Sequence, residues 1–340
     1  MLSKYKRPSS RPHSENTHQR VHPQQRVLGA RQEDKTFRRS ATMKSEGLET
    51  GQKYFGYAAV IVPTLFTSVA VVQAFYQPVS WLAISLCAIF YVLTTLGINV
   101  GYHRLFSHAA FKAHPRLEAA LIILGSMAAQ GHMTHWVCNH RRHHQYTDQA
   151  DDPHSPHLSS SGDALSGLSG FFRAHIGWLF EGSFPNVLYA KDLLKRPLLM
   201  KVNRLYLLWV VLGISIPAAL GGLISSTWLG VWQGLLWGGF VRMFLVHHAI
   251  WSINSINHLY GARPFETGEK STNNFWVAVV NLGDGWHNNH HAFPHSALHG
   301  LEWWQIDVSG WVIRALESVS LAWDIKRPTS KSMKAREAQV

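Results

Sequence analysis

No charged residue stands between Lys53 and Arg104, none from Leu205 to Val241, and none between Arg242 and Arg263. A water-soluble fold has no use for uncharged runs of this length, whereas a membrane crossing needs about 20 mainly apolar residues for roughly 30 Å of hydrocarbon. Each of the two uncharged regions therefore holds two crossings, expected at about 55–75, 81–102, 205–224 and 229–257. The near-neutral mean hydropathy of −0.06 averages these runs with strongly polar ones. The apolar stretch 117–129 is too short to cross and reads as an interfacial or re-entrant helix.

The formal charge of +12 sits mostly in the first 53 residues, in the segment from Lys191 to Arg204 and near the C-terminus. The turns Tyr76–Ser80 and Ser225–Trp228 carry no Lys or Arg. The positive-inside rule then places both termini in the cytoplasm, at a membrane with anionic lipid. Nucleic acid is not an expected partner, because no recognisable module accompanies the basic charge. Cys87 and Cys138 form no C-x-x-C or disulfide framework, as expected for a reducing compartment. Residues 1–52 lack apolar periodicity and read as a disordered basic tail, with Met43 an alternative start; 53–328 form the folded domain and 329–340 a C-terminal tail. Residues 149–170 read as a polar-side loop, 171–180 as an interfacial helix, and 306–319 as an amphipathic helix closing a cytosolic cap. The expected fold class is all-α, an integral membrane protein with four transmembrane helices and a helical cap.

Histidines crowd the polar flanks of these spans in three groups: His103 and His108; His140, His143 and His144; and His287, His290 and His291. Helical positions three and four apart share a face, so the second and third groups each converge on one point. The first pair is five apart, which a regular helix does not keep on one face, so the helix is expected to end or turn there. Neutral imidazole is a ligand for iron, zinc, copper and nickel. The three groups are too many for one metal and suit two, and the lack of nearby thiolates argues against a structural zinc site. Asn254 and His258 at the end of the fourth span are costly in lipid and point to function. His132 and His135 have an ordinary polar reading. Arg242, His247 and His248 lie within the fourth span and are expected to face the protein interior.

The pattern H-x4-H, H-x2-HH, H-x2-HH, together with Gly97–Tyr102, Asn254–His258 and Asn281–Trp286, resembles the membrane-bound fatty acid desaturase family, delta-9 branch, over about residues 54–328. The resemblance implies a cytoplasmic centre of two iron ions on His103, His108, His140, His143, His144, His258, His287, His290 and His291, with Asn254 acting through a water. It also implies that Gln130, Trp136 and Trp251 grip the bend of the acyl chain and that Tyr91 and Thr95 close its tunnel; Asp152 and Asp284 are the candidates to orient ligand rings. The implied reaction is O2-dependent formation of a cis double bond in a saturated acyl chain. The coenzyme A-using animal relatives carry Arg-Asp where this chain has Cys138-Asn139, so acyl-CoA, acyl-lipid and acyl carrier protein all stand as substrates. No His-Pro-Gly-Gly haem motif is present in this sequence, so electrons are expected from a separate ferredoxin, cytochrome b5-type protein or reductase. The alternatives are a hydroxylase or ketolase of the same superfamily and, from another class, a histidine-rich metal transporter.

Overall fold

The computed structural model describes residues 41–43 and 45–338. Among the described residues, four helices are long and apolar enough to cross a membrane: α1 (Glu46–Tyr76), α2 (Trp81–Ser107), then, after a run of shorter helices, two more late in the chain. Between the pairs lie α3 (Pro115–Met127), α4 (Met133–Tyr146), α5 (Gly167–His175) and α6 (Pro197–Arg204), and the second pair is α7 (Tyr206–Ser225) and α8 (Trp228–His258). The cap is completed by α9 (Phe275–Val280), α10 (His287–Ala292), α11 (Val308–Ser318) and α12 (Ser330–Lys334). One short antiparallel pair, β1 (Lys112–Ala113) with β2 (Ala322–Trp323), ties the start of α3 to the end of the cap.

The first helix starts well before the expected boundary. Glu46 and Glu49 occupy its first turn, where carboxylates suit the helix dipole, so residues 46–52 are helical rather than tail. The expectation of a disordered tail over residues 1–40 lies outside the described residues. At the other end, residues set aside as tail are packed. Arg336 donates to the carbonyl of Ala292 and lies 5.5 Å from the Phe293 ring, and Glu337 bridges to Phe265. Burial grades the spans: only 17% of the apolar window of α1 is buried within the protein, against 61% for α8. The outward residues of α1, including Ile61, Leu65, Val72 and Phe75, form an apolar surface of the kind that lipid covers.

Two spans widen into π turns, α2 over Gly97–Ser107 and α8 over Gly234–Val241. The first answers the five-residue spacing of His103 and His108. In π geometry the amide of residue i+5 bonds the carbonyl of residue i, and the His108 amide reaches the His103 carbonyl at 3.2 Å. The helix ends here, as expected, but only after a wide turn has put both rings on one face, their centroids 5.1 Å apart. Gly97 permits this by lying directly against the backbone of Leu124 and Gly125 in α3, where any side chain would collide.

Helix α3 ends inside the protein, where carbonyls without partners would be costly. Span α8 supplies the donors. The guanidinium of Arg242, fully buried, bonds the carbonyls of Met127 at 2.7 Å, Gly213 at 2.6 Å and Gly238 at 3.2 Å, and His247 Nε2 lies 2.8 Å from the carbonyl of Ala128. Both residues face inward, as their sequence position implied, and their partners are backbone oxygens. Three asparagines fasten the cap to the spans. Asn99 donates to the Asn281 carbonyl at 2.5 Å, Asn281 to the Ala249 carbonyl at 2.7 Å, and Asn257 to the carbonyls of Thr272 and Gly285 at 2.9 and 2.7 Å.

Because Arg242 joins α3, α7 and α8 at once, Arg242→Met should lower stability by about 3 kcal/mol, from buried carbonyls left without donors at about 1–3 kcal/mol each. Arg242→Lys should recover less than half of that, since one ammonium lacks the planar fork that reaches three carbonyls. Thermal unfolding of the purified protein in detergent measures both.

Candidate metal centre

The spans α2 and α8 both end on the cap side, delivering His103, His108 and His258; α4 and α10 deliver the others on i, i+3, i+4 faces. The rings sort into two groups whose donor nitrogens all lie within 4.8 Å of one another: five from His103, His108, His140, His144 and His290, and four from His143, His258, His287 and His291. All the histidines carried over from the resemblance are therefore brought together. The groups touch at a seam, where His144 of the first stacks on His291 of the second at 4.4 Å between centroids.

Nitrogens face nitrogens here. His108 Nε2 lies 2.7 Å from His140 Nε2, His290 Nε2 is 3.1 Å from His103 Nε2 and 2.8 Å from His144 Nε2, and His258 Nε2 is 3.1 Å from His287 Nε2. One proton on His290 cannot satisfy two facing lone pairs at once. The Nε2 atoms of His143 and His291 are buried with no hydrogen-bond partner. Adjacent ligands at about 2.1 Å from one ion stand about 3 Å apart, so both the spacing and the orphaned nitrogens fit a bound metal in each group. Burial first, and mutual repulsion second, hold His140, His144, His287, His290 and His291 well below the ordinary imidazole pKa, which leaves them neutral with lone pairs free.

Carboxylates hold the far sides of the rings. Asp284 Oδ2 lies 2.7 Å from His103 Nδ1 and Asp152 Oδ1 3.0 Å from His143 Nδ1, the contacts expected of them from the sequence. Burial alone would raise both carboxyls. For Asp284 the Arg104 guanidinium, then His103, overcomes this, and for Asp152 the charge and hydrogen bond of His143 do, so both stay ionised. Two further carboxylates escaped the sequence reading: Asp148, 3.2 Å from His258 Nδ1, and Glu269, 3.7 Å from His291 Nδ1. Asp148 was within reach, because it follows the second histidine group closely in an acidic run; Glu269 belongs to a loop and left no signal. Arg104 was equally unread. Fully buried, it bonds Asp284 at 2.6 Å and Asp307 at 2.8 Å, linking α2 to the start of α11.

A cavity adjoins the first group. Gln130, Trp136, His140, Ile250, Trp251 and Asn254 line it, with Gln52, Phe55 and Ala59 of α1 on the opposite wall. Trp136 stacks on His140 at 5.0 Å, which sets an aromatic wall against a ring of the cluster. Tyr91 and Thr95 are not brought to this cavity. Tyr91 lines a separate apolar groove between α2, α8 and α9 and donates its hydroxyl to the Val280 carbonyl at 2.7 Å, while the Thr95 hydroxyl is buried among the helices without a partner. Tyr91 turns toward α8 and α9 instead. His132 caps α4 by accepting from the His135 amide at 3.2 Å, an ordinary polar role.

Two outcomes follow from this electrostatic arrangement. The buried rings refuse protons that the unfolded chain accepts below the ordinary imidazole value of 6.5. The metal-free protein should therefore lose stability steadily as the pH falls below about 6.5, read as a falling Tm. Asp152→Asn, which keeps the shape but removes the charge behind His143, should weaken metal retention by about 10–100-fold, read as metal per protein after dialysis against a graded chelator.

Comparison with known proteins agrees with the geometry. The family model described as fatty acid desaturase matches residues 79–315. The chain is 44% identical to the hex-5-enoyl-[acyl-carrier protein] acetylenase of Moorena producens (strain JHB), over 89% of this chain and 97% of that protein. It is 37% identical to the sn-1 stearoyl-lipid 9-desaturase of Anabaena variabilis, over 74% of this chain and 87% of that protein. It is also 37% identical to the chloroplastic palmitoyl-monogalactosyldiacylglycerol delta-7 desaturase of Arabidopsis thaliana, over 84% and 71%. With two histidine clusters beneath four apolar helices and a family match across most of its length, the chain belongs to the fatty acid desaturase family, oxidoreductases that act on fatty acyl chains.

Proposed function

We propose that this protein is a membrane-embedded, O2-dependent acyl desaturase with a di-iron centre, introducing a cis double bond at the delta-9 position of a saturated chain. The observation that carries the reading is the pair of facing imidazole groups beside a cavity with aromatic walls. The five and four histidines named above hold one iron each, and Asn254, one turn before His258 and lining the cavity beside His140, holds a water next to the metal. Bound there, the irons supply the oxidising power that unactivated C–H bonds require, with two electrons from an external donor and O2 reduced to two waters.

The chain's own residues do the rest. Trp136 and Trp251 fix the bend of the acyl chain against the cluster, and Gln130, whose amide donates to the Val246 carbonyl at 3.4 Å, borders the bend. Asp152, Asp284, Asp148 and Glu269 keep the ligand rings oriented from behind. The uncharged turns face outward and the cap, with both termini, faces the cytoplasm, where a ferredoxin, a cytochrome b5-type protein or a reductase donates the electrons. The relatives' names divide among lipid-linked, protein-carried and coenzyme A-linked chains, so all three carriers stand here, although Cys138-Asn139 lacks the charged pair of the coenzyme A-using animal relatives.

A second reading has one specific support, the identity to the acetylenase along nearly all of that protein: the double bond of an alkene would be oxidised once more, to an alkyne. Expression in a host unable to make unsaturated fatty acids, grown with and without an added cis-alkenoic acid, separates the readings. Mass spectrometry of its lipids should show a new cis alkene; an alkyne in its place supports the second reading, and a hydroxy acid rejects both. His144→Ala, removing a ligand at the seam, should lower product by more than about 100-fold, a larger effect than losing an outer partner, and reduce the iron per protein.

A further inference from the structure

Buried ring nitrogens pose a problem of access, because an ion has to reach them from water. The cavity beside Trp136 meets the nine rings at His140 alone, and its far wall is Phe55 and Ala59 of the span α1, on the hydrocarbon side where a divalent ion does not travel. A second, polar cavity of about 590 Å3 meets both groups, at His108 and His144 of the first and His291 of the second. It reaches the seam where the last two rings stack. Six waters around a divalent ion fill roughly 180 Å3 at about 30 Å3 each, so the ion fits with its hydration shell.

The walls of this cavity suit a cation. Its two arginines are already engaged: Arg141 bonds Asp192 at 2.6 Å and the carbonyls of Ser107, Phe106 and Tyr189 at 2.9, 2.7 and 2.6 Å, and Arg336 bonds the carbonyl of Ala292. Two carboxylates line the space at different depths. Glu266 is exposed at the rim, and its amide donates to the Arg336 carbonyl at 2.8 Å, which ties its loop to the C-terminal segment. Glu269 lies deeper, its side chain 11% exposed, with Oε1 3.7 Å from His291 Nδ1 and accepting from the Ser271 hydroxyl at 2.6 Å. Donor atoms of Glu269, Asp148 and His258 lie within 4.8 Å of one another, so oxygen donors continue from the rim to the second group of rings.

We infer that this polar cavity is the route by which iron enters and leaves the centre, with Glu266 drawing the hydrated ion to the rim and Glu269 passing it to the seam of His144 and His291. Imidazole suits iron better than carboxylate and water do, so the order of donors, oxygens outside and nitrogens within, sets the direction of loading. The inference rests on the di-iron reading and adds to it the path by which such a centre fills.

Metal-free protein in detergent is mixed anaerobically with Fe2+; uptake is read as metal per protein in samples quenched and desalted over time, and release as transfer to a coloured chelator. The wild type should take up two ions. Gln149→Trp and Thr267→Trp add bulk at two lining positions that bond no ligand ring. Each should slow uptake and release by the same factor at unchanged final metal content, as narrowing a shared path requires. Glu266→Gln should slow uptake about 5-fold at low salt, as lost steering predicts, and the difference should vanish near about 0.5 M salt, a dependence that a merely structural role would not show. Ala59→Trp, on the wall of the other cavity, should leave both rates unchanged. Wild-type rates in both Gln149→Trp and Thr267→Trp, or slowing by Ala59→Trp alone, overturns the route. Two ions taken up this way with no alkene formed counts against the desaturase reading alone, whereas two ions and an alkene with rates indifferent to Gln149→Trp and Thr267→Trp counts against the route alone.

Discussion

Five imidazoles and four imidazoles with their nitrogens turned on one another are an arrangement that no folding force favours by itself. Lone pairs at about 3 Å repel, and neutral rings in a dry interior forfeit their bonds to water. The surrounding structure is the apparatus that holds them there. The π turn of α2 brings His103 and His108 to one face, the carboxylates of Asp152, Asp284 and Asp148 grip the outward nitrogens, and Arg104 anchors Asp284 through a buried charge pair. Remove the reason for the convergence, and the π turn, the buried arginine and the buried carboxylates all become unexplained costs.

The same economy governs the membrane-facing half. Away from the histidine clusters, the buried polar groups of the spans bond backbone oxygens rather than charged partners. Arg242 and His247 complete the end of α3, and Asn99, Asn257 and Asn281 stitch the spans to the cap. That stitching places the end of α3, and so Gln130 and Trp136 just beyond it, against α8 with Trp251 and Asn254. The cavity beside the cluster is thus built by the elements that satisfy the buried backbone, and its aromatic walls have fixed positions relative to His140.

Residue identity made much of this readable in advance. The uncharged runs mark four helices long and apolar enough to cross a membrane, and the spacings in α4 and α10 place three rings on each helix face. Periodicity was less informative where geometry is irregular: the five-residue gap between His103 and His108 reads as a break, whereas a wide turn accommodates it. Glu269 and Arg104 were silent because their roles depend on residues distant in sequence, and Tyr91 shows that helical spacing does not say which cavity a side chain meets.

The chain by itself therefore determined composition-level and local facts: where hydrocarbon must surround it, which rings cluster on each helix, and that an imidazole-rich chemistry is intended. Local spacing cannot state how helices separated by more than 100 residues pack. Only the tertiary structure decided that the rings divide five and four, that His144 meets His291 at the seam, and that one polar cavity reaches rings of both groups. These are distances between segments remote in sequence, set by the close approach of Gly97 to α3 and by buried bonds such as that of Arg104 to Asp284, which no periodicity along the chain encodes.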